Sequence, residues 1–142
     1  MGRGVRVLHL HLHGLFRSRD LELGRDADTG GQTLYVLDLV RSLAQRPEVE
    51  RVDVVTRLVQ DRRVAADYER PLEVIAPGAR ILRFPFGPKR YLRKEQLWPH
   101  LEDLADQLVH HLTQPGHEVD WIHAHYADAG FVGALVSLSL IH

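Results

Sequence analysis

A chain of 142 residues, 44% apolar and 26% charged, suits one soluble domain with a single core, because a domain of this size buries roughly 70% of its unfolded surface. Lys and Arg total 18 against 19 Asp and Glu, and the resulting charge of -1 points to no particular charged partner; no nucleic-acid signal accompanies it. Cysteine is absent, which excludes disulfides and thiolate metal sites, and the longest mainly apolar run, residues 131–141, falls short of the ~20 residues that span a bilayer. MGRGVRVLHL enters a strand-like run without an apolar h-region or a small-residue cleavage site, so no signal peptide and a cytoplasmic location are expected.

Val5, Val7, Leu8, Leu10 and Leu12 build the first strand-like run, and His9, His11 and His13 alternate with the leucines on one face. A long polar loop, residues 13–32, then ends in Gly30-Gly31. After it Leu34, Val36, Leu37, Leu39, Val40 and Leu43 recur at helical spacing, which predicts a helix over residues 32–46 that stops near Pro47. Asp28 or Thr29 is the expected N-cap. Gly30 and Gly31 then occupy the first positions, where backbone N–H groups lack intrahelical partners and attract anions. The glycines let a ligand approach the backbone, and Gln32 adds an amide donor and acceptor.

Residues 51–58 read as a second strand, completing a βαβ unit and implying a parallel sheet. Residues 59–70 are charged and unpatterned and read as a solvated surface loop. Residues 72–75 and 79–84 are short strands separated by the turn pair Pro77-Gly78. Between Arg80 and Lys94 every charge is positive: Arg80, Arg83, Lys89, Arg90, Arg93 and Lys94. Pro85, Gly87 and Pro88 make the centre of this stretch a loop, in which cations can converge on a phosphate dianion. Leu97, Leu101, Leu104, Leu108 and Leu112 predict one amphipathic helix over residues 94–113, ended by Pro115-Gly116, with His110 and His111 favouring its C-terminus. A strand over residues 120–124 and a last helix from about residue 128 close the chain.

Longer strings in these loops carry a resemblance. Gly14-Leu15, Glu22-Leu23-Gly24-Arg25-Asp26 and Asp28-Thr29-Gly30-Gly31-Gln32, followed by Tyr35-Val36, resemble the first loop of sucrose-phosphate synthases. Sucrose synthases share Asp-Thr-Gly-Gly-Gln, but their long additional N-terminal region makes the phosphate-acceptor branch the nearer resemblance. Phe86-Gly87-Pro88, Arg90-Tyr91-Leu92, Lys94-Glu95 and Leu97-Trp98-Pro99-His100 resemble the loop that holds the acceptor's phosphate. Here this chain is one residue shorter between Pro88 and Tyr91, and Arg90 stands where the family usually has lysine. Either Lys89 or Arg90 faces the phosphate, whereas Lys94 transfers directly. His123-Ala124-His125-Tyr126-Ala127-Asp128-Ala129-Gly130 resembles the segment in which tyrosine lines the acceptor site.

The resemblance implies an α/β fold: a Rossmann-like parallel sheet flanked by helices, residues 1–142 being an incomplete N-terminal, acceptor-side domain of a GT-B glycosyltransferase whose nucleotide-sugar domain is absent. It implies retaining transfer of glucose from UDP-glucose to the 2-hydroxyl of fructose 6-phosphate. In the full enzyme Gly30, Gly31 and Gln32 would lie between acceptor and donor phosphates, Lys89 or Arg90 together with Lys94 would hold the acceptor phosphate, and Tyr126 would line its sugar. The expected partners are a sugar phosphate and a nucleotide sugar, with no cofactor, catalytic residue or metal assigned within the chain, and no activity expected of the chain alone. His13, the basic loop and Tyr126 all follow strand ends, where ligands of open parallel sheets sit. Two other readings compete. One is a stand-alone sugar-phosphate binding or regulatory module. The other is a metal-dependent hydrolase built on the His-x-His runs at His9, His11 and His13 and at His123 and His125, which lacks both a recognisable carboxylate and the length for a barrel.

Overall fold

The computed structural model describes residues 3–19 and 30–140. Its elements are β1 (Val5–Leu10), α1 (Gly30–Ala44), β2 (Val49–Arg57), β3 (Leu72–Ala76), β4 (Ala79–Phe84), α2 (Lys94–Leu97), α3 (Leu101–Leu112), β5 (Trp121–Ala124) and α4 (Tyr126–Leu140), with 3-10 turns at Ala66–Glu69 and Trp98–His100. Five strands form one sheet in the order β3-β4-β2-β1-β5. β1 pairs with β2 and β5, and β2 with β4, all parallel.

Alternate side chains of these strands feed two layers. Val52, Val54 and Ile81 pack with Val36, Leu37 and Val40 of α1 and with Phe16. Leu8, Leu10, Val55 and Leu82 pack on the other face with Leu101, Leu104, Leu108 and Leu112 of α3 and with Val132 and Val136 of α4. Each fully buried Val or Leu contributes about 1.5–3 kcal/mol relative to exposure, so both helices are held by their apolar stripes. Along α1 the stripe is narrower than the apolar spacing alone suggests, since Leu34 and Tyr35 are exposed.

Four expectations need correction. The sheet is not wholly parallel, because β3 runs antiparallel to β4. Pro77-Gly78 is far too short for a crossover and joins only a hairpin, with Gly78 at φ 81°. The helix expected over residues 94–113 is broken into α2, a 3-10 turn and α3; Pro99 has no N–H to donate and its ring crowds the preceding turn. β1 ends at Leu10, although His11, Leu12 and His13 beyond it remain buried. Residues 59–70 are not simply solvated: Val59 and Tyr68 are buried with Leu15 in a small third core, and Arg17 lies over the Tyr68 ring, 5.1 Å from its centroid.

β1 and β5 flank the place where the strand order reverses. From β1 the chain winds outward through β2 to β4, then crosses to β5 on the other side of β1. In a sheet of this kind the crevice at the carboxyl ends of those two strands is the preferred ligand site.

Candidate functional site

The segments leaving β1 and β5 meet at that crevice. His13 Nδ1 and Asp128 Oδ2 lie 2.7 Å apart with both side chains buried, and Asp128 Oδ1 accepts the Ala129 N–H at 2.7 Å. The carboxylate is thus held at the start of α4 and in turn orients the imidazole. His13 Nε2 is buried without a hydrogen-bond partner. The Tyr126 ring packs against it, with centroids 4.4 Å apart. Tyr126 adopts φ 71°, a left-handed conformation unusual for a side chain of this size. Such strain costs about 1–3 kcal/mol and is tolerated where the surroundings impose it. Burial raises the Tyr126 hydroxyl above its ordinary pKa, with the Asp128 charge adding to the effect, so the group is a neutral phenol at neutral pH.

His13, Tyr126 and Asp128 form one wall of a cleft of about 360 Å³; Lys94, Glu95 and Trp98 form the other. Lys94 opens α2, and among the described residues that line this cleft it is the one lysine or arginine. Trp98 packs against Phe131 in a tilted arrangement, with ring centroids 5.7 Å apart, and gives the cleft an apolar side. Lys94 and Tyr126, assigned from sequence, are therefore brought together. Lys89 and Arg90 are exposed and do not line the cleft.

Arg80 and Arg83 are also separate from it. Arg80 forms a bidentate pair with Asp53, both bonds 2.9 Å, and buried Arg83 pairs with Glu73 at 2.7 Å. The cation that shapes the basic loop is Arg57, the last residue of β2. It is buried, and it donates to the carbonyl oxygens of Pro88 and Arg90. Burial lowers its pKa to about 10, which still leaves it charged at neutral pH. Tyr91 N–H donates to Asp61 Oδ2 at 3.0 Å and Gln60 N–H to the Lys89 carbonyl at 2.7 Å, so the segment after β2 holds the loop from below.

α1 opens at Gly30, two residues before the stretch its apolar spacing marks and where the expected N-cap at Asp28 or Thr29 puts its first positions; Asp28, Thr29 and the run from Glu22 to Asp26 lie outside the described residues. A Cβ added to Gly31 would meet no described atom within 4 Å, so internal packing does not account for a glycine there. Gln32 Nε2 donates to His125 Nδ1 at 3.1 Å. His125 then carries its proton on Nε2, which lies 2.9 Å from His9 Nδ1. Gln32 thus reaches the crevice through His125, the residue before Tyr126. Burial is the main force pushing the His9 imidazole down to about 3 and His125 to about 4, and the neighbouring histidines add to it.

The model of the sucrose synthase first GT-B domain matches residues 3–141. The chain belongs to that family. Relatives include the probable sucrose-phosphate synthase of Vicia faba, 40% identical over 98% of this chain, and sucrose-phosphate synthase 1 of Arabidopsis thaliana, 41% identical over 98%. The chain spans 16% of the length of each. Among solved structures, sucrose-phosphate synthase from Thermosynechococcus elongatus superposes with a TM-score of 0.77 over 96% of this chain and 31% of its own; at 23% identity this likeness concerns the fold. The GT-B domain family accounts for the doubly wound sheet and for helices on both of its faces. No described helix is long and apolar enough to cross a membrane.

Proposed function

We propose that this chain is the acceptor side of a hexosyltransferase site of sucrose-phosphate synthase type, with residues 1–142 forming part of its first Rossmann-like domain. The reaction is transfer of glucose from UDP-glucose to the 2-hydroxyl of fructose 6-phosphate with retention at the anomeric carbon. The observation that carries the reading is the single cleft lined by Lys94, Tyr126 and His13 at the switch point of the sheet.

Within that cleft Lys94 supplies a point charge for the phosphate. Tyr126 offers a neutral phenol to the sugar, and His13 offers a ring nitrogen whose orientation Asp128 fixes. Lys89 and Arg90 act from the rim, drawing the dianion toward the cleft rather than gripping it. Gly30, Gly31 and Gln32 line the approach between acceptor and donor phosphates, supported by the open space beside Gly31 and the link from Gln32 to His125.

Transfer requires the leaving nucleotide to be stabilised more strongly in the transition state than in the ground state. The residues that would hold that nucleotide belong to a second domain, so this chain alone binds acceptor without transferring glucose. Calorimetric titration with fructose 6-phosphate, followed by incubation with UDP-glucose and assay for sucrose 6-phosphate, tests this: the account predicts binding without product. Product formed by the chain alone, or no binding by a folded chain, contradicts it.

A further inference from the structure

The acceptor cleft does not use His9 or His123, yet the sheet brings both beside His125. His9 and His123 are register partners on adjacent parallel strands, so their side chains leave the same face. His125 follows two residues on. The ring centroids lie 5.0 Å apart for His9 and His123, 5.2 Å for His9 and His125, and 4.3 Å for His123 and His125. One ring nitrogen from each falls within 4.8 Å of the others.

We infer that His9, His123 and His125 form a binding site for a divalent transition-metal ion of the zinc type, bridging β1 and β5 beside the acceptor cleft. Zinc–imidazole bonds of about 2.0–2.1 Å in a tetrahedron place ligand nitrogens about 3.3 Å apart. His9 Nδ1 and His125 Nε2 face each other at 2.9 Å, close to that spacing, and a small rotation of exposed His123 brings in the third ligand. The ion takes the place of the proton these two nitrogens otherwise share. His125 then carries its proton on Nδ1, and the Gln32 amide turns to accept it through Oε1, which makes Gln32 the group that orients a metal ligand.

The ligand set selects the ion class. Three imidazoles without a carboxylate suit zinc, copper or nickel and suit magnesium or calcium poorly, since those prefer oxygen. Exposed His123 leaves an entry path and a fourth position open to water. Neither His-x-His run read by itself shows this arrangement. The three ligands come from β1, from β5 and from the residue just past β5, segments that are neighbours in space although His9 and His123 are 114 residues apart in sequence (123 minus 9).

The test uses the full chain in a His117→Ala background, because His111 and His117 place exposed ring nitrogens 3.2 Å apart and would compete for metal. After chelator treatment, calorimetric titration with Zn²⁺ is expected to give one equivalent per chain. His123→Ala, an exposed position whose metal-free melt reports folding, weakens binding about tenfold or more. With Co²⁺ in place of Zn²⁺, the d–d absorption of a tetrahedral site appears and is lost in the same variant. No uptake at micromolar Zn²⁺, or uptake that His123→Ala leaves unchanged, overturns the assignment. The titration contains no sugar phosphate, so its outcome is separate from that of the acceptor reading.

Discussion

His13 and Asp128, 115 positions apart in sequence, meet at 2.7 Å inside the protein and join the loop after β1 to the first turn of α4. The pair fixes one wall of the cleft. Removing one partner leaves the other buried and unsatisfied, which costs about 1–3 kcal/mol. Asp128→Ala and His13→Ala are each expected to lower the unfolding free energy measured in urea by that order, and the double variant by less than the sum. Additive losses in the double-mutant cycle would mean that the two side chains do not act together.

Gly87 sits at φ 72°, and a Cβ there would lie 3.0 Å from the His100 ring. Gly87→Ala therefore meets both backbone strain and a steric clash, and is expected to destabilise by about 1–3 kcal/mol. Adding His100→Ala relieves only the clash, so denaturant unfolding should show partial recovery.

Arg57 ties down the basic loop through two carbonyl groups. Arg57→Met keeps the length of the side chain and removes those donors. Limited trypsin digestion should then cut after Lys89 or Arg90 faster than in the wild type, while β2 and β4 remain protected.

Acid should unfold the protein through its interior histidines. Burial is the main cause that lowers His9 and His11 to about 3 and His125 to about 4, from an ordinary value of 6.5. In the unfolded chain these rings take up protons near pH 6.5, so between 6.5 and about 4 the unfolded state binds more protons than the folded one. Stability is complete above that window and falls as pH drops through it, by up to about 1.4 kcal/mol per pH unit for each histidine. Urea midpoints measured with chelator present, from neutral pH down to about pH 5, should decline steadily; a flat profile would contradict the buried, neutral assignment.

Much of the fold was legible because periodicity reports which face of an element is buried. The spacing of Val36, Leu37 and Val40, and that of Leu101, Leu104 and Leu108, located α1 and α3. The hairpin between β3 and β4 was legible too, since Pro77-Gly78 leaves no room for a crossover, but the βαβ pattern before it suggested continued parallel winding. Lys94 and Tyr126 were readable from motif strings within single loops. Arg57, Asp128 and the His9–His123 pairing were not, because each acts on a partner that only the folded sheet brings near. The cationic run from Arg80 to Lys94 misled for the same reason: Arg80 and Arg83 find their carboxylates on neighbouring strands, Asp53 and Glu73.

The central claim is that the acceptor cleft is complete in this chain, and the most direct measurement is a thermal melt with and without millimolar fructose 6-phosphate, using fructose plus inorganic phosphate as the control. Ligand at about 100 times its dissociation constant adds roughly 2.7 kcal/mol when it binds only the folded state. The account predicts a rise in Tm specific to the sugar phosphate, abolished by Lys94→Ala and only reduced by Lys89→Ala or Arg90→Ala. A cooperative melt that fructose 6-phosphate does not move, or a shift that survives Lys94→Ala and disappears in Arg90→Ala, would contradict it.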